Sequence, residues 1–242
     1  MKIPLQPCFI LHQRNYRETS LILEVFSRQS GRVSLVARGA NRRNSKNRPL
    51  MQLNQKLQLA WSIRGEMGTL TSIEAVDANY GLTGTRLFAA FYVNELLMRL
   101  LHKHEPHTEL FDAYEVTLKK FRTGIMEDIV LRLFEKQLLE SLGYGLVLDH
   151  DVTTGEPIKA DQDYYYQVDY GPAVTPAAGR ECIKISGATL LALGQNTIAD
   201  QPHLHEAKLL NRRILKTYLG ERPLESRRLF SAYIKNQSGV PG

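Results

Sequence analysis

The spacing of apolar residues changes once along this chain, close to residue 80, from a period of two to a period near 3.6. Before that point residues 7–76 read as β throughout. "CFILHQR", "SLILEVFS" and "GRVSLVAR" give three strands, with Ser30-Gly31 as the turn between the last two. "QKLQLAWSI" alternates strictly, with Leu57, Leu59, Trp61 and Ile63 on one face and Lys56, Gln58 and Ser62 on the other. "RGEMGTLTSIEAV" supplies a Gly-bounded hairpin turn and a fifth strand.

Five short strands in so little chain suit a small barrel, which removes the edges an open sheet must protect. The oligonucleotide-binding (OB) barrel is the expected five-stranded solution, and an SH3-like barrel stays open on pattern alone. After "NYGLTG" a helix is expected from Thr85 to His104, ended by Pro106, and a second over 107–121 with Thr108 as N-cap. A third spans "MEDIVLRLFEKQLLESLG", with Val130, Leu133, Phe134, Leu138 and Leu142 inward and Gly143 as its C-cap. Residues 149–180 are loop-rich with one tyrosine-rich strand. Helix restarts at "SGATLLAL", capped by Ser186. The final helix is read in "HLHEAKLLNRRILKTYLG", its apolar row Ala207, Leu210, Ile214 and Tyr218, stopped by Gly220. The fold class expected is multidomain α+β: a barrel over 1–80, a helical domain over 81–148 and 183–242, and a small β/loop insert over 149–182.

Charge is distributed as unevenly as structure. The net charge is +6, but residues 1–80 hold twelve Lys/Arg against five Asp/Glu, whereas residues 81–242 hold nineteen against twenty. Residues 25–65 contain nine Lys/Arg and no acid. Such a single-sign field points to a polyanionic partner. Arg38, Arg42, Arg43, Lys46 and Arg48 follow the third strand and are the candidate phosphate contacts, with Arg32 beside them. The window's only aromatics are Phe26 and Trp61, and Trp61 falls in an apolar row. Modules that hold single strands by their bases need exposed rings, so a grip on the backbone is expected. Arg212, Arg213, Lys216, Arg227 and Arg228 form a second basic group, readable either as a solvated helix face or as part of the nucleic-acid path.

Enzyme signatures are missing. There is no Gly-Lys-Ser/Thr phosphate loop, no GxGxxG and no Gly-x-Ser-x-Gly. Asp149/Asp151 and Asp161/Asp163 have the chemistry to hold Mg²⁺ for a nuclease, but solvated turns explain them better. His102, His104 and His107 read as surface residues at a helix end, as do His203 and His205, and no CxxC supports zinc. Cys8 and Cys182 are read as reduced thiols. No apolar run is long enough for a membrane span, and the start lacks a signal-peptide pattern. No enzyme activity, cofactor, metal or membrane partner is expected.

"SGRVSLVARGANRR", "YVNELLMRLL", "LESLGYG" and "YLGERPLESRRLF" stand in the order and spacing of the bacterial RecO recombination-mediator family, which the chain resembles from about residue 9 to 230. The resemblance implies an OB barrel, a helical domain and an inserted module. It implies a cytoplasmic, nucleoid-associated protein of the RecFOR pathway that binds single- and double-stranded DNA and anneals complementary strands. With RecR it would help RecA load onto DNA coated with single-stranded-DNA-binding protein. It also implies that Arg132 meets the acidic tail of that protein, although Asp128 and Glu135 at helical spacing offer an ordinary surface ion pair instead. Many relatives carry four cysteines as a zinc module in the insert. Here only Cys182 lies between 148 and 185, so zinc is not carried over, and the tyrosine-rich hairpin is expected to stabilise the insert by packing. The residues alone leave a second reading, an RNA-binding OB protein of translation or ribosome assembly.

Overall fold

The structure is a computed structural model that describes residues 1–63, 65, 67–77, 80–176 and 179–237. Arg64 and Glu66 of the expected hairpin turn, and Asn79 of "NYGLTG", lie outside the described residues. Five strands, β1 (Lys2–Tyr16), β2 (Ser20–Ser27), β3 (Gly31–Ala37), β4 (Lys56–Ile63) and β5 (Gly68–Ala75), close into a barrel of order β1-β2-β3-β5-β4. β3 and β5 pair in parallel, every other neighbour antiparallel, and β1 closes on β4. This is the OB arrangement.

"CFILHQR" is only the middle of β1, which is long because it serves two neighbours. Its first half pairs with β4, from Lys2 opposite Ser62 to Phe9 opposite Lys56. Its second half pairs with β2, from Cys8 to Tyr16. Pro4 falls where the β4 register shifts between Ile3 and Gln6, a place that tolerates a missing N–H. Inside, Ile10, Leu23, Val33, Leu35, Leu57, Leu59 and Trp61 form the barrel core, Trp61 being 1% exposed.

The outward-facing Phe9 and Phe26 are buried too, because helices cover that side. α1 (Gly84–Leu100) and α2 (Thr108–Arg122) follow the barrel. Phe111 and Tyr114 of α2 meet Phe9 at ring-centroid distances of 5.2 and 4.9 Å, and Phe111 meets Phe26 at 5.4 Å. Beside these rings the Tyr114 hydroxyl donates to Asn94 Oδ1 (2.6 Å). Asn94 Nδ2 in turn donates to the Leu11 carbonyl (3.1 Å) and to Asn54 Oδ1 (2.9 Å). Satisfied polar groups at such depth fix one arrangement of helix on barrel.

Two helix ends differ from expectation. α1 stops at Leu100, short of Pro106, since Leu101 is extended and the chain then runs beside β3, where the His104 N–H donates to the Arg32 carbonyl (3.0 Å). Gly31, at φ +66°, permits this: a Cβ there would lie 2.0 Å from the Glu105 carbonyl oxygen. The cap position of α2 is His107; Thr108 is its first helical residue, and its hydroxyl donates to the Arg28 carbonyl (3.5 Å) instead of capping. The helix that Gly220 ends is not the final one, because another helix follows it among the described residues.

Among the described residues α3 (Glu127–Ser141), the strands β6 (Asp163–Gln167), β7 (Gly171–Ala173) and β8 (Ile183–Ser186), and the helices α4 (Gly187–Gly194) and α5 (Gln201–Leu219) are followed by α6 (Glu225–Gln237). α6 returns to α1, where the Glu95 carboxylate accepts from the N–H groups of Glu225 (2.9 Å) and Ser226 (2.8 Å). Phe88 packs on Phe230 and Tyr233. The helix escapes pattern reading because Ser226 is its single fully buried residue.

Two compact units result: Met1–Gly124 with Pro223–Gly242, and Ile125–Arg222. The change of period near residue 80 therefore marks a change of element inside the first unit. In the second, α3 ends with Gly143 at φ +82° while the Tyr144 N–H returns to the Leu139 carbonyl (2.8 Å). Ser186 caps α4 by accepting from the Thr189 N–H (3.2 Å), Asp200 caps α5, and Gly220 at φ +71° stops it. The small sheet has the order β7-β6-β8, so its third strand lies beyond residue 182. Tyr164 and Tyr166 of β6 are buried.

Candidate nucleic-acid interface

The chain leaves the barrel at Ala37 and returns at Lys56. Two buried residues hold the excursion down: Ala40 and Met51 both belong to the barrel core, with Leu50 and Leu53 half-buried against it. The Asn41 N–H donates to the Thr19 carbonyl (2.9 Å), and Asn41 Nδ2 to Asn15 Oδ1 (2.8 Å), tying the loop to the β1–β2 turn. Tight turns follow from Arg42 N–H to Gly39 O (3.2 Å) and Ser45 N–H to Arg42 O (3.0 Å), then a 3₁₀ turn over Arg48–Leu50. Arg38, just before the first anchor, and Arg42, Arg43, Lys46 and Arg48, between the two, are exposed. Among the described residues none of these five meets an acid; Arg48 donates to Asn41 Oδ1.

The other described cations of the 25–65 window, Arg28, Arg32 and Lys56, do other work. Arg28 forks onto Asp112 of α2 (3.0 and 2.8 Å), which holds that carboxyl below its usual range. Lys56 meets Glu115 of α2 (2.6 Å). Arg32, expected beside the phosphate contacts, is half-buried, its Nε donating to the Leu101 carbonyl (3.1 Å) and its Nη1 pairing with Glu24 (3.3 Å). Its position on β3 turns it toward the chain segment after α1, away from the loop.

Two cations outside the window join the loop's side of the barrel. Arg14, on β1, shares with Arg48 an open groove of about 640 Å³, lined also by Leu21 and Met51. Arg17, at φ +52° in the β1–β2 turn, holds its guanidinium 5.2 Å from the Tyr16 ring centre; Glu18 beside it is an exposed acid. Sequence reading passed over Arg14 because it stands at the end of an ordinary strand. Only the β1–β2 pairing and the Asn15–Asn41 bond bring it to the loop. Phe26 and Trp61 are both buried, so neither offers a ring to a base.

The second basic group is divided. Arg212, Arg213 and Lys216 stand on α5 in the second unit, where Arg213 pairs with Glu181. Arg227 and Arg228 stand on α6 in the first; Arg227 lies 5.5 Å from the Tyr92 ring centre, and Arg228 pairs with Glu225 (2.8 Å).

Arg132 is on a buried face of α3, not its surface. It is 3% exposed, and its Nη2 donates to Glu135 Oε1 (2.7 Å). Asn211 Nδ2 of α5 closes the pair by donating to Glu135 Oε2 (3.0 Å) and to the Arg132 carbonyl (3.1 Å). Asp128, the other expected partner, meets Lys208 instead (3.2 Å). Arg132 Nε and Nη1 have no partner among the described residues.

Three of the four acids in the insert's pairs are engaged individually. Asp151 is 2% exposed and accepts from Thr153 N–H (2.7 Å), Thr153 Oγ1 (2.5 Å), Thr154 N–H (3.1 Å) and Val174 N–H (2.8 Å). One carboxylate thus ties the turn after α3 to the strand at β7, alongside the packing of Tyr164 and Tyr166. Asp149 meets His150 (2.7 Å) and Asp163 meets Lys184 (2.7 Å). Among the described residues no three His, Cys, Asp or Glu side chains converge as a metal site, and both cysteines are free, burial pushing the Cys8 thiol up to about 12. No helix among the described residues is long and apolar enough to cross a membrane.

The chain matches two family profiles in succession: recombination protein O, N terminal, over residues 1–79, and recombination protein O, C terminal, over residues 82–228. It is 44% identical over 229 residues to the DNA repair protein RecO of Nitrosococcus oceani, covering 95% of this chain and 93% of that one. It is 41% identical over 231 residues to the protein of the same name from Nitrosospira multiformis, covering 94% and 95%. The Coxiella burnetii protein of that name is 42% identical over 228 residues, covering 94% and 98%. With a five-stranded barrel followed by helices and a small three-stranded sheet, the chain belongs to the RecO family of DNA repair and recombination proteins.

Proposed function

We propose that this DNA repair protein works without catalysing bond chemistry, as a recombination mediator. It binds single- and double-stranded DNA through the barrel loop and anneals complementary strands. With RecR it helps RecA load onto DNA coated with single-stranded-DNA-binding protein. The observation that carries this reading is the loop between Ala40 and Met51: cations with no acid partner among the described residues, held on buried anchors, with no ring of the loop available for stacking. Such a surface neutralises phosphates and releases their counterions while leaving base edges untouched. Two backbones that share it repel each other less, and their bases are free to pair. The acidic tail of the single-stranded-DNA-binding protein would meet Arg132 by displacing the packing that leaves it 3% exposed; its Nε and Nη1 have no partner among the described residues and can each donate to a carboxylate oxygen.

Replacing Arg42, Arg43 and Lys46 together by Ala should slow annealing and flatten the log–log salt dependence of binding by up to about two units. A folded triple variant with the parental salt slope would sink the loop assignment. Competition of single-stranded DNA with RNA, and annealing of strands precoated with single-stranded-DNA-binding protein that has or lacks its tail, separate this function from RNA binding.

A further inference from the structure

The second unit contains an aromatic cavity that the proposed function does not invoke. It has a volume of about 150 Å³ and is lined by Tyr144, Tyr166, Asp169, Tyr170, Ile214 and Tyr218, among others. Tyr144, just past the end of α3, and Tyr218, near the end of α5, stack with centroids 3.8 Å apart and planes 18° from parallel. Asp169 sits in the β6–β7 turn at φ +68°, its Oδ1 accepting from the Tyr218 hydroxyl (2.5 Å). Its Oδ2 has no partner among the described residues. Tyr144 and Tyr170 are 43% and 58% exposed, so the rings are open to solvent.

The volume is well below the roughly 300 Å³ where small-molecule pockets begin and admits one planar group. The charge lining it is a carboxylate. The unit around it, residues 125–222, holds ten Lys/Arg against fourteen Asp/Glu, a field that opposes a phosphate chain. Ring faces and an open carboxylate oxygen together attract a cation, and a planar guanidinium satisfies both at once, stacking on one and donating to the other. The module already shows the contact in miniature: the Arg180 guanidinium lies 4.9 Å from the Tyr170 ring centre.

We infer that this cavity is the docking site for a single arginine side chain presented by a protein partner. The site is separate from the barrel loop, and its test does not depend on DNA binding.

The test uses the full-length protein with ¹³C-labelled tyrosine rings, titrated with capped Gly-Arg-Gly, with the uncharged isostere capped Gly-citrulline-Gly, and with a single-stranded oligonucleotide. The ring signals of Tyr144 and Tyr218 should shift saturably with the arginine peptide and not with the citrulline peptide. Asp169→Asn, a substitution that the left-handed backbone tolerates, should weaken that binding about tenfold with the melting temperature preserved. Three results would overturn the site: no ring shift with arginine, equal shifts with citrulline, or parental affinity in D169N. Shifts produced by the oligonucleotide and not by arginine would overturn it in favour of a base-stacking platform.

Discussion

In the unit formed by residues 1–124 and 223–242, twenty-one Lys/Arg stand against eleven Asp/Glu, and five of the cations project from one loop with no acidic partner among the described residues. In residues 125–222 ten stand against fourteen, and several of the charged groups are turned inward: Arg132 against Glu135 beneath Asn211, and Asp151 against four donors. The first arrangement makes a surface that is strong in water because nothing cancels it. The second makes internal ties that are strong because water is excluded. A charge in this molecule is therefore read correctly only when its burial is known.

The sharpest way to break the comparison is Glu135→Leu, which strands the Arg132 guanidinium in the interior. Urea unfolding should register a loss of about 3–5 kcal/mol, while the double change Arg132→Met with Glu135→Leu should recover most of it. A single variant that costs almost nothing would mean the pair is wet and the contrast false. Asp151→Asn comes next, with an expected cost of about 2 kcal/mol, because an amide cannot accept at every contact the carboxylate fills. Burial pushes Asp151 up, but its hydrogen bonds from Thr153, Val174 and Thr154 outweigh it and bring it down to about 2 from an ordinary 3.8. A carboxyl lowered on folding adds stability above its unfolded value and loses it as pH falls through the folded one. The parent should therefore lose a component of stability between about pH 4 and 2 that Asp151→Asn lacks, as pH-dependent denaturation curves would show.

Within the first unit, Arg32 and Arg14 separate the two uses of a cation. Arg32→Ala should cost about 1 kcal/mol of stability and leave the salt slope of DNA binding unchanged. Arg14→Ala should leave stability unchanged and reduce the single-strand slope by about 0.7, measured by titrations at several salt concentrations. The reverse pattern would place the DNA path along β3 and not across the loop.

Much of the fold was legible because it follows from local rules. Five strands, the burial of Trp61, the Ser186 cap and the stops at Gly143 and Gly220 rest on periodicity and on glycine's access to positive φ, which neighbouring residues dictate. α6 was not legible, since a helix that buries one residue fully leaves little apolar rhythm. The end of α1 was misplaced because the chain after Leu100 pairs across the fold with Arg32, a close approach that Gly31 permits, before Pro106 is reached.

By itself the sequence determined that a β-rich, basic module comes first, that helices follow, and that the loop after Arg38 carries charge without rings. The tertiary structure alone decided which cations are free. The window over residues 25–65 contains no acid, yet Glu24, Asp112 and Glu115 arrive from outside it to occupy Arg32, Arg28 and Lys56, while Arg14 joins the loop from a strand. The same holds for Arg132, which helical spacing places next to two carboxylates and packing places under α5. Charge along a chain is a local property, but neutralisation depends on distances of a few ångströms between segments far apart in sequence, and only the fold sets those.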